Sequence, residues 1–243
     1  MAPNSQIFLT RHAEGYHNVE QDWSRGLHEP LKIHSQASEA NQNTVYDPAL
    51  TPKGKDQATS AAPHISDLQQ SADLIVTSAL RRTLQTTLRT WAPAIERLGR
   101  ENVICLPEAQ ECMDLPCDCG SSRAELEADP EFAGLDFSRL TPDWNTKTGF
   151  YASDRRSLVN RVKWVRHFLR DRPEEKIVLV VHGDFLREIT CTASGPTRHW
   201  WDHVEIQVWE FDSATVDKDE CFLKFVRKVD TRGTGKGAQS SSM

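Results

Sequence analysis

One apolar run constrains the fold of this chain more than any other segment. Residues Lys176–Val181, read Lys-Ile-Val-Leu-Val-Val, show no alternation of polar and apolar side chains and lead directly into His182 and Gly183. An alternating strand buries one face, whereas a continuous apolar strand is typical of a parallel sheet whose two faces are both covered by helices. The run therefore predicts an α/β protein with a mostly parallel sheet.

The rest of the chain alternates between strand and helix patterns, which supports this fold class. Other strands are predicted at Ile7–Leu9, Ala72–Thr77, Asn102–Leu106, Trp201–Phe211 and Cys221–Val226. Helices are predicted at Pro52–Leu68, Ala79–Leu98, Arg123–Ala128 and Asp154–Arg170, and after Gly183. Thr51 is the expected N-cap of the first helix, and Ser78 that of the second, which should end at Gly99. The expected architecture is a three-layer sandwich with helices on both faces of a mostly parallel central sheet.

The length of 243 residues fits one large α/β domain better than two small ones. We expect this domain to span residues 1–230, with long insertions at about 19–46 and 112–151. The Gly/Ser-rich stretch 231–243 is expected to be a disordered tail.

Charge and composition narrow the classes of partner and the cellular location. The net charge is −6, from 29 basic and 35 acidic residues, which argues against a general nucleic-acid or membrane-surface binder. The polar N-terminus shows no secretory signal and no segment is apolar for long enough to span a bilayer, so a cytoplasmic protein with reduced cysteines is expected. Neither the oligomeric state nor a metal motif can be read from the sequence.

Basic side chains follow three of the predicted strands. The first strand ends in Arg11 and His12, the second leads into Arg82, and the long apolar run ends in His182. Ligands of such sheets bind beyond the carboxyl ends of the strands, so these side chains are expected to meet in one cationic pocket. Arginine binds phosphate oxygens in pairs, and a neutral histidine can attack phosphorus.

At this point the sequence resembles the histidine phosphatase superfamily, also called phosphoglycerate mutase-like. Over roughly residues 5–195, four motifs occur in the family's order: Leu-x-Arg-His-Ala-(x)4-Asn at Leu9–Asn18, Asp-x-x-Leu-Thr-x-x-Gly-x-x-Gln-Ala at Asp47–Ala58, Ser-x-Leu-x-Arg-x-x-Gln-Thr at Ser78–Thr86, and Val-x-His-Gly at Val180–Gly183. Each motif alone is weak, whereas all four together are specific. The resemblance implies a phosphoglycerate mutase-like fold and a phosphatase of small phosphorylated metabolites that needs no metal or other cofactor.

The resemblance also implies roles for individual residues. His12 would be the nucleophile that forms a phosphohistidine. The phosphoryl group would be bound by Arg11, Asn18, Arg82, His182 and Gly183. The general acid would be a glutamate after the third strand. Glu111 is the best match by position, with Glu108 second and Asp114 third.

Two departures from the family pattern keep other functions open. Ala13 replaces the usual glycine after the nucleophile, and Glu14 could repel phosphate if it faced the pocket. The alternatives are a phosphoglycerate-mutase-type phosphotransferase, and a lyase, isomerase or anion-binding protein that uses the same cationic pocket. A mutase is disfavoured because residues 112–150 contain few basic side chains, namely Arg123, Arg139 and Lys147.

Several further residues could surround the pocket. Candidates for its wall, which could equally be loop residues covering the core, are Tyr16, Trp23, Arg25, Trp144, Phe150 and Tyr151. We expect Arg81 to lie on a solvated or salt-bridged helix face. His17 and the Trp200-Trp201 pair are expected to have packing roles.

Overall fold

A computed structural model describes residues 5–19 and 45–233. Six strands form one mixed sheet, in the spatial order β3-β2-β4-β1-β5-β6. The strands are β1 (Gln6–Arg11), β2 (Leu74–Ser78), β3 (Ile104–Leu106), β4 (Lys176–Val181), β5 (Ile206–Phe211) and β6 (Leu223–Lys228). The first four are mutually parallel where they pair, while β5 and β6 add an antiparallel edge. The predicted α/β fold with a mostly parallel sheet is confirmed.

Helices cover both faces of this sheet. They are α1 (Pro52–Ala61), α2 (Ser66–Ser71), α3 (Arg81–Thr90), α4 (Ala92–Leu98), α5 (Arg123–Glu127), α6 (Arg155–Arg170) and α7 (Gly183–Ile189). Side chains of alternate sheet residues separate into two apolar clusters, with Leu179 facing α6 and α7 on one side and Val178 facing α2 and α4 on the other. Because both faces of β4 are buried, its sequence has no polar alternation.

The helix starts and breaks follow local chemistry. Thr51 caps α1 as predicted, since its hydroxyl accepts a hydrogen bond from the Gly54 amide. The predicted helix Pro52–Leu68 is instead α1, a short 3-10 turn at Ala62–Ile65, and α2. The turn contains Pro63, which has no amide hydrogen to continue the hydrogen-bond ladder.

The predicted helix Ala79–Leu98 is also wrong in two respects. Ser78 is the last residue of β2 rather than a helix cap, and Leu80 is still extended when α3 begins at Arg81. The helix then breaks at Trp91, and the new helix α4 begins at Ala92 with Pro93 in its first turn. Gly99 ends α4 with φ of 91°, as glycine permits.

The two antiparallel strands begin later than predicted. A turn at 202–205 delays β5 to Ile206, with Val204 at φ of 56° and the Glu205 amide bonded to the Asp202 carbonyl. Most of the insertion predicted at 19–46 and most of the tail predicted at 231–243 lie outside the described residues. Between 112 and 151 the chain forms short turns around α5 rather than an extended helical layer.

Candidate active site

The register of two neighbouring strands brings His12 and His182 together. Arg11 pairs with Val181 in the parallel β1–β4 ladder, and the His12 amide donates a hydrogen bond to the Val181 carbonyl. Both histidines therefore emerge at the carboxyl edge of the sheet, with ring centroids 5.2 Å apart. The predicted meeting of these two side chains is confirmed by the geometry.

The surroundings of His12 select one tautomer. Its Nδ1 lies 2.6 Å from the Ala13 carbonyl oxygen. Since a carbonyl oxygen can only accept, Nδ1 carries the proton and Nε2 keeps its lone pair. Burial, followed by the positive charge of Arg82, lowers the pKa of His12 well below 6.5, which favours a neutral ring at neutral pH.

His182 is fixed from the opposite side. Its Nε2 is hydrogen-bonded to Oγ of Ser78 at the end of β2, at 2.8 Å. Its other ring nitrogen, Nδ1, is buried and has no hydrogen-bond partner among the described residues. Burial and then the charge of Arg82 lower the pKa of His182 well below 6.5. The ring thus presents one unsatisfied nitrogen beside His12, where a bound group could satisfy it.

The two arginines occupy different environments. Arg82 is fully buried; it donates to the Cys117 carbonyl and, at 3.2 Å, to Oδ1 of Asp118. Arg11 donates to the Trp201 carbonyl and also lies against Gly183, where an added Cβ would be 3.3 Å from its Nε. A larger residue at position 183 would therefore crowd the guanidinium group.

Glu111 lines the same cavity as His12 and is held by backbone amides. Its Oε1 accepts hydrogen bonds from the amides of Cys112, at 3.0 Å, and Phe185, at 3.1 Å. Burial raises the pKa of Glu111 to about 7, and repulsion from Asp118 and Asp184 acts in the same direction. A carboxyl group with this pKa can hold or release a proton near neutral pH.

The rivals of Glu111 face elsewhere. Glu108 is half-buried and accepts a 3.4 Å hydrogen bond from the Tyr151 hydroxyl, and burial raises its pKa as well. Asp114 is exposed. Of the three candidates, Glu111 alone is among the described residues that line the same cavity as His12.

Two buried cations, Arg161 and Lys147, hold the loop that carries Glu111. The sequence did not indicate this role for either residue. Arg161 of α6 donates to the backbone carbonyls of Gln110, at 2.5 Å, and Glu111, at 3.2 Å. Nζ of Lys147 donates to the same Glu111 carbonyl at 2.7 Å, and burial lowers the pKa of Lys147 to about 8. Both side chains bind backbone oxygens, so they position Glu111 without touching its carboxylate.

The active-site cavity has a volume of about 190 Å³. Its described lining consists of Arg11, His12, His17, Asn18, Glu111, Met113, Leu115, Cys117, Asp118, Gly183, Asp184, Arg187, Trp200 and Trp201. Asn18 accepts a hydrogen bond from the Gly15 amide through Oδ1, so the group that can face a bound oxygen is its Nδ2. Arg82 and His182 lie behind this lining, fully buried.

Glu14 does not face the cavity. Its carboxylate accepts from the Thr51 hydroxyl at 2.8 Å and pairs with Lys53 at 2.7 Å, beside the start of α1. Gly54 permits this arrangement, because a Cβ there would lie 2.0 Å from the Glu14 carbonyl oxygen. Ala13 is fully buried and its amide donates to the Thr86 hydroxyl. The expected repulsion between Glu14 and a phosphate group in the cavity therefore does not apply.

The wall of the cavity differs from the expected one. Trp144 is buried against Gly120 in the core, while Tyr16, Phe150 and Tyr151 are not part of the described lining. Trp23 and Arg25 lie outside the described residues. Arg81 pairs with Asp129 at 2.5 Å, as expected for a salt-bridged helix face.

His17, Trp200 and Asp118 line the cavity, although packing roles were expected for the first two and Asp118 was not singled out. The His17 ring lies 5.7 Å from that of His12. Asp118 lies in a loop without helical or strand periodicity, so the sequence carried no signal for its contact with Arg82. His17 lies within the first of the four motifs, which gave it no role, and Trp200 lies outside all four.

Together these features define an α/β protein with a cluster of histidine and arginine side chains at the carboxyl edge of its parallel strands. A profile of the histidine phosphatase superfamily (branch 1) matches residues 7–228. The chain therefore belongs to the histidine phosphatase superfamily, and the resemblance stated from its four motifs is confirmed.

Named relatives and solved structures agree with this membership. A Schizosaccharomyces pombe protein named as a probable phosphatase is 26% identical, over 74% of this chain and 75% of its own. A phosphoglycerate mutase-like protein of Arabidopsis thaliana is 28% identical, over 74% of this chain and 71% of its own. The α-ribazole phosphatase of Shigella flexneri shares the fold, with a TM-score of 0.55, 19% identity and coverage of 96% and 99% of the two chains.

A second structural neighbour was solved with a ligand. Phosphoserine phosphatase of Entamoeba histolytica, in complex with 3-phosphoglyceric acid, has a TM-score of 0.52 and 17% identity, covering 94% of this chain and 99% of its own.

Within the described ranges of this chain, no helix has the length and apolarity needed to cross a membrane. No cluster of metal-binding side chains occurs in those ranges either.

Proposed function

We propose that this protein is a metal-independent phosphatase that hydrolyses a small phosphomonoester through a phosphohistidine on His12, with Glu111 as general acid and base. The proposal rests on two groups that line one cavity and whose pKa values are shifted in opposite directions. The pKa of His12 is lowered and that of Glu111 is raised to about 7. Such a pair provides an unprotonated nucleophile and a protonated acid at the same pH.

The reaction follows from this arrangement in two steps. Nε2 of His12 forms a bond to phosphorus while the ester P–O bond breaks, and Glu111 gives its proton to the departing alcohol oxygen. Glu111, now a carboxylate, takes a proton from water as the water oxygen attacks phosphorus and the N–P bond breaks. Inorganic phosphate leaves, and both residues return to their starting protonation states.

The remaining polar groups would stabilise the charge on the phosphoryl oxygens. Arg11, Arg82 and Asn18 supply N–H donors, and His182 and the Gly183 amide complete the predicted phosphate site. Preorganised donors of this kind act most strongly in a buried site, because they need no reorientation as charge develops. The unsatisfied Nδ1 of His182 supports its part in this set.

The surroundings of the cavity support hydrolysis over a mutase reaction. The basic residues of the second insertion are engaged elsewhere: Arg123 pairs with Glu127, Arg139 lies over Phe168, and Lys147 binds the Glu111 carbonyl. In the described lining none of the three is present to enclose a second anionic group.

A trapping experiment tests the proposal. The protein is mixed with an aryl phosphate and quenched, and the phosphoryl group is located on the chain. We expect an acid-labile, base-stable adduct on His12 that accumulates in the Glu111→Gln variant, since an aryl oxygen leaves without a proton whereas attack by water needs the base. Activity should be unchanged by chelators.

Glu108→Gln serves as the matched control, because Glu108 lies on the same loop but outside the cavity lining. It should turn over without accumulating the adduct. Retention of phosphatase activity by His12→Ala, or a phosphoryl group on any other residue, would disprove the proposal.

A further inference from the structure

Three apolar side chains stand out in the mostly polar lining of the cavity. Met113 and Trp200 both line the cavity, and each is more than half exposed, at 51% and 55%. Leu115 is a third apolar lining residue. Large apolar side chains that are exposed at a cavity mark a surface that a partner or ligand covers.

The position of Met113 and Leu115 relates them to the departing oxygen. They follow Glu111 by two and four residues on one loop. In the proposed mechanism the alcohol oxygen that receives a proton from Glu111 lies beside this loop, and Met113 and Leu115 are the apolar side chains that the same loop contributes to the lining. Trp200 lines the same cavity as Arg11, which belongs to the proposed phosphate site and donates to the carbonyl of the neighbouring Trp201.

Three charged side chains of the same lining, Asp118, Asp184 and Arg187, are in ion pairs. Arg187 pairs with Asp184 at 3.2 Å, and its Nε donates to the Thr197 carbonyl. Asp118 pairs with Arg82. A second anionic group on the substrate, such as a carboxylate, would compete with these pairs and would also meet the negative charge of Asp184.

We propose that the substrate of this site is the phosphate ester of an uncharged, apolar alcohol whose ring or branched chain packs between Met113 and Trp200. This inference rests on the proposed phosphatase function and adds the class of leaving group. Contact with an indole and a thioether favours such a group through burial of apolar area and through ring and sulfur contacts.

The test compares esters whose alcohols differ in polarity but not in chemical reactivity. 2-Phenylethyl phosphate and 2-hydroxyethyl phosphate are both esters of primary alcohols, and O-phosphoserine and 3-phosphoglycerate add a carboxylate. Release of inorganic phosphate gives kcat/KM for each. We expect 2-phenylethyl phosphate to exceed the other three by about tenfold or more.

Variants assign the preference to the apolar residues. Trp200→Ala and Met113→Ala should each reduce the ratio of kcat/KM for 2-phenylethyl phosphate to that for 2-hydroxyethyl phosphate by about tenfold. Trp200→Phe should keep most of that ratio. Trp164→Ala is the matched control, because Trp164 is a partly exposed tryptophan on α6 that stacks on Phe168, away from the cavity.

The outcomes separate the two proposals. Hydrolysis with a preference for the polar or carboxylate esters, or a ratio unaffected by Trp200→Ala, would overturn the apolar leaving group and leave the phosphatase function intact. Absence of phosphate release from every ester would overturn both.

Discussion

Replacing Glu111 by glutamine should make the protein more stable at alkaline pH while it removes proton transfer from catalysis. The pKa of this buried carboxyl group is raised from its ordinary value of 4.5 to about 7. Between these values the folded protein keeps a proton that the unfolded chain releases, so stability falls as pH rises. The loss is complete above pH 7 and amounts to about 3 kcal/mol.

Glutamine does not titrate, so the variant avoids this loss. Part of the unfavourable energy comes from repulsion by Asp118, whose own pKa is raised by burial. We therefore compare the free energy of unfolding of Glu111→Gln with that of the parent at two pH values. The difference in favour of the variant should be about 1–3 kcal/mol larger at pH 8.5 than at pH 5. Over the same range kcat for an alkyl phosphate should be about 10²–10⁴-fold below the parent.

Urea denaturation at the two pH values measures the first quantity, and phosphate release from 2-phenylethyl phosphate measures the second. Glu108→Gln is the control, since Glu108 is less buried and should show a smaller pH-dependent gain with near-parental kcat. The reasoning is refuted if the stability difference is the same at pH 5 and pH 8.5, or if Glu111→Gln keeps the parental rate.

Three further predictions concern residues that support the site. Arg161→Met should lower the free energy of unfolding, measured by urea denaturation, by about 3 kcal/mol, because it leaves buried carbonyls unsatisfied. It should also slow the hydrolysis of alkyl esters more than that of aryl esters in steady-state kinetics, because Glu111 is displaced. Gly54→Ala should cost about 1–3 kcal/mol in thermal or urea denaturation, because the clash with the Glu14 carbonyl outweighs the gain in helix propensity. His182→Asn should reduce kcat by about 10²-fold or more in a phosphate-release assay, since it removes a preorganised donor.

Each of these has a clear contrary result. Equal slowing of alkyl and aryl esters by Arg161→Met would indicate a purely structural role. Unchanged stability in Gly54→Ala would mean that the loop at Glu14 relaxes freely. A His182→Asn enzyme with parental kcat would remove this residue from the phosphate site.

Much of the fold could be predicted because its strongest signals are local. The strand at Lys176–Val181 has the predicted bounds, since burial on both faces leaves an apolar run with sharp ends. The N-cap Thr51 and the terminator Gly99 act through their nearest neighbours, so sequence alone was sufficient. The convergence of His12 and His182 follows from a general property of parallel sheets.

What could not be predicted depends on contacts between distant segments. Ser78 looked like a helix cap, but its hydroxyl is bound to His182, 104 residues away. Arg161 follows the spacing of α6, and only the folded chain shows that it binds the loop of Glu111. Asp118 and Lys147 lie in stretches without periodicity, where no local rule connects a side chain to its partner.

The ion pair between Arg82 and Asp118 has a consequence for turnover. A phosphatase that binds its substrate through buried arginine also binds its product, inorganic phosphate, and slow release would limit the rate. In the proposed phosphatase, Asp118 would compete with phosphate for Arg82 at a high effective concentration, because the two side chains belong to the same chain and already form an ion pair. We expect this tethered carboxylate to weaken the retention of inorganic phosphate.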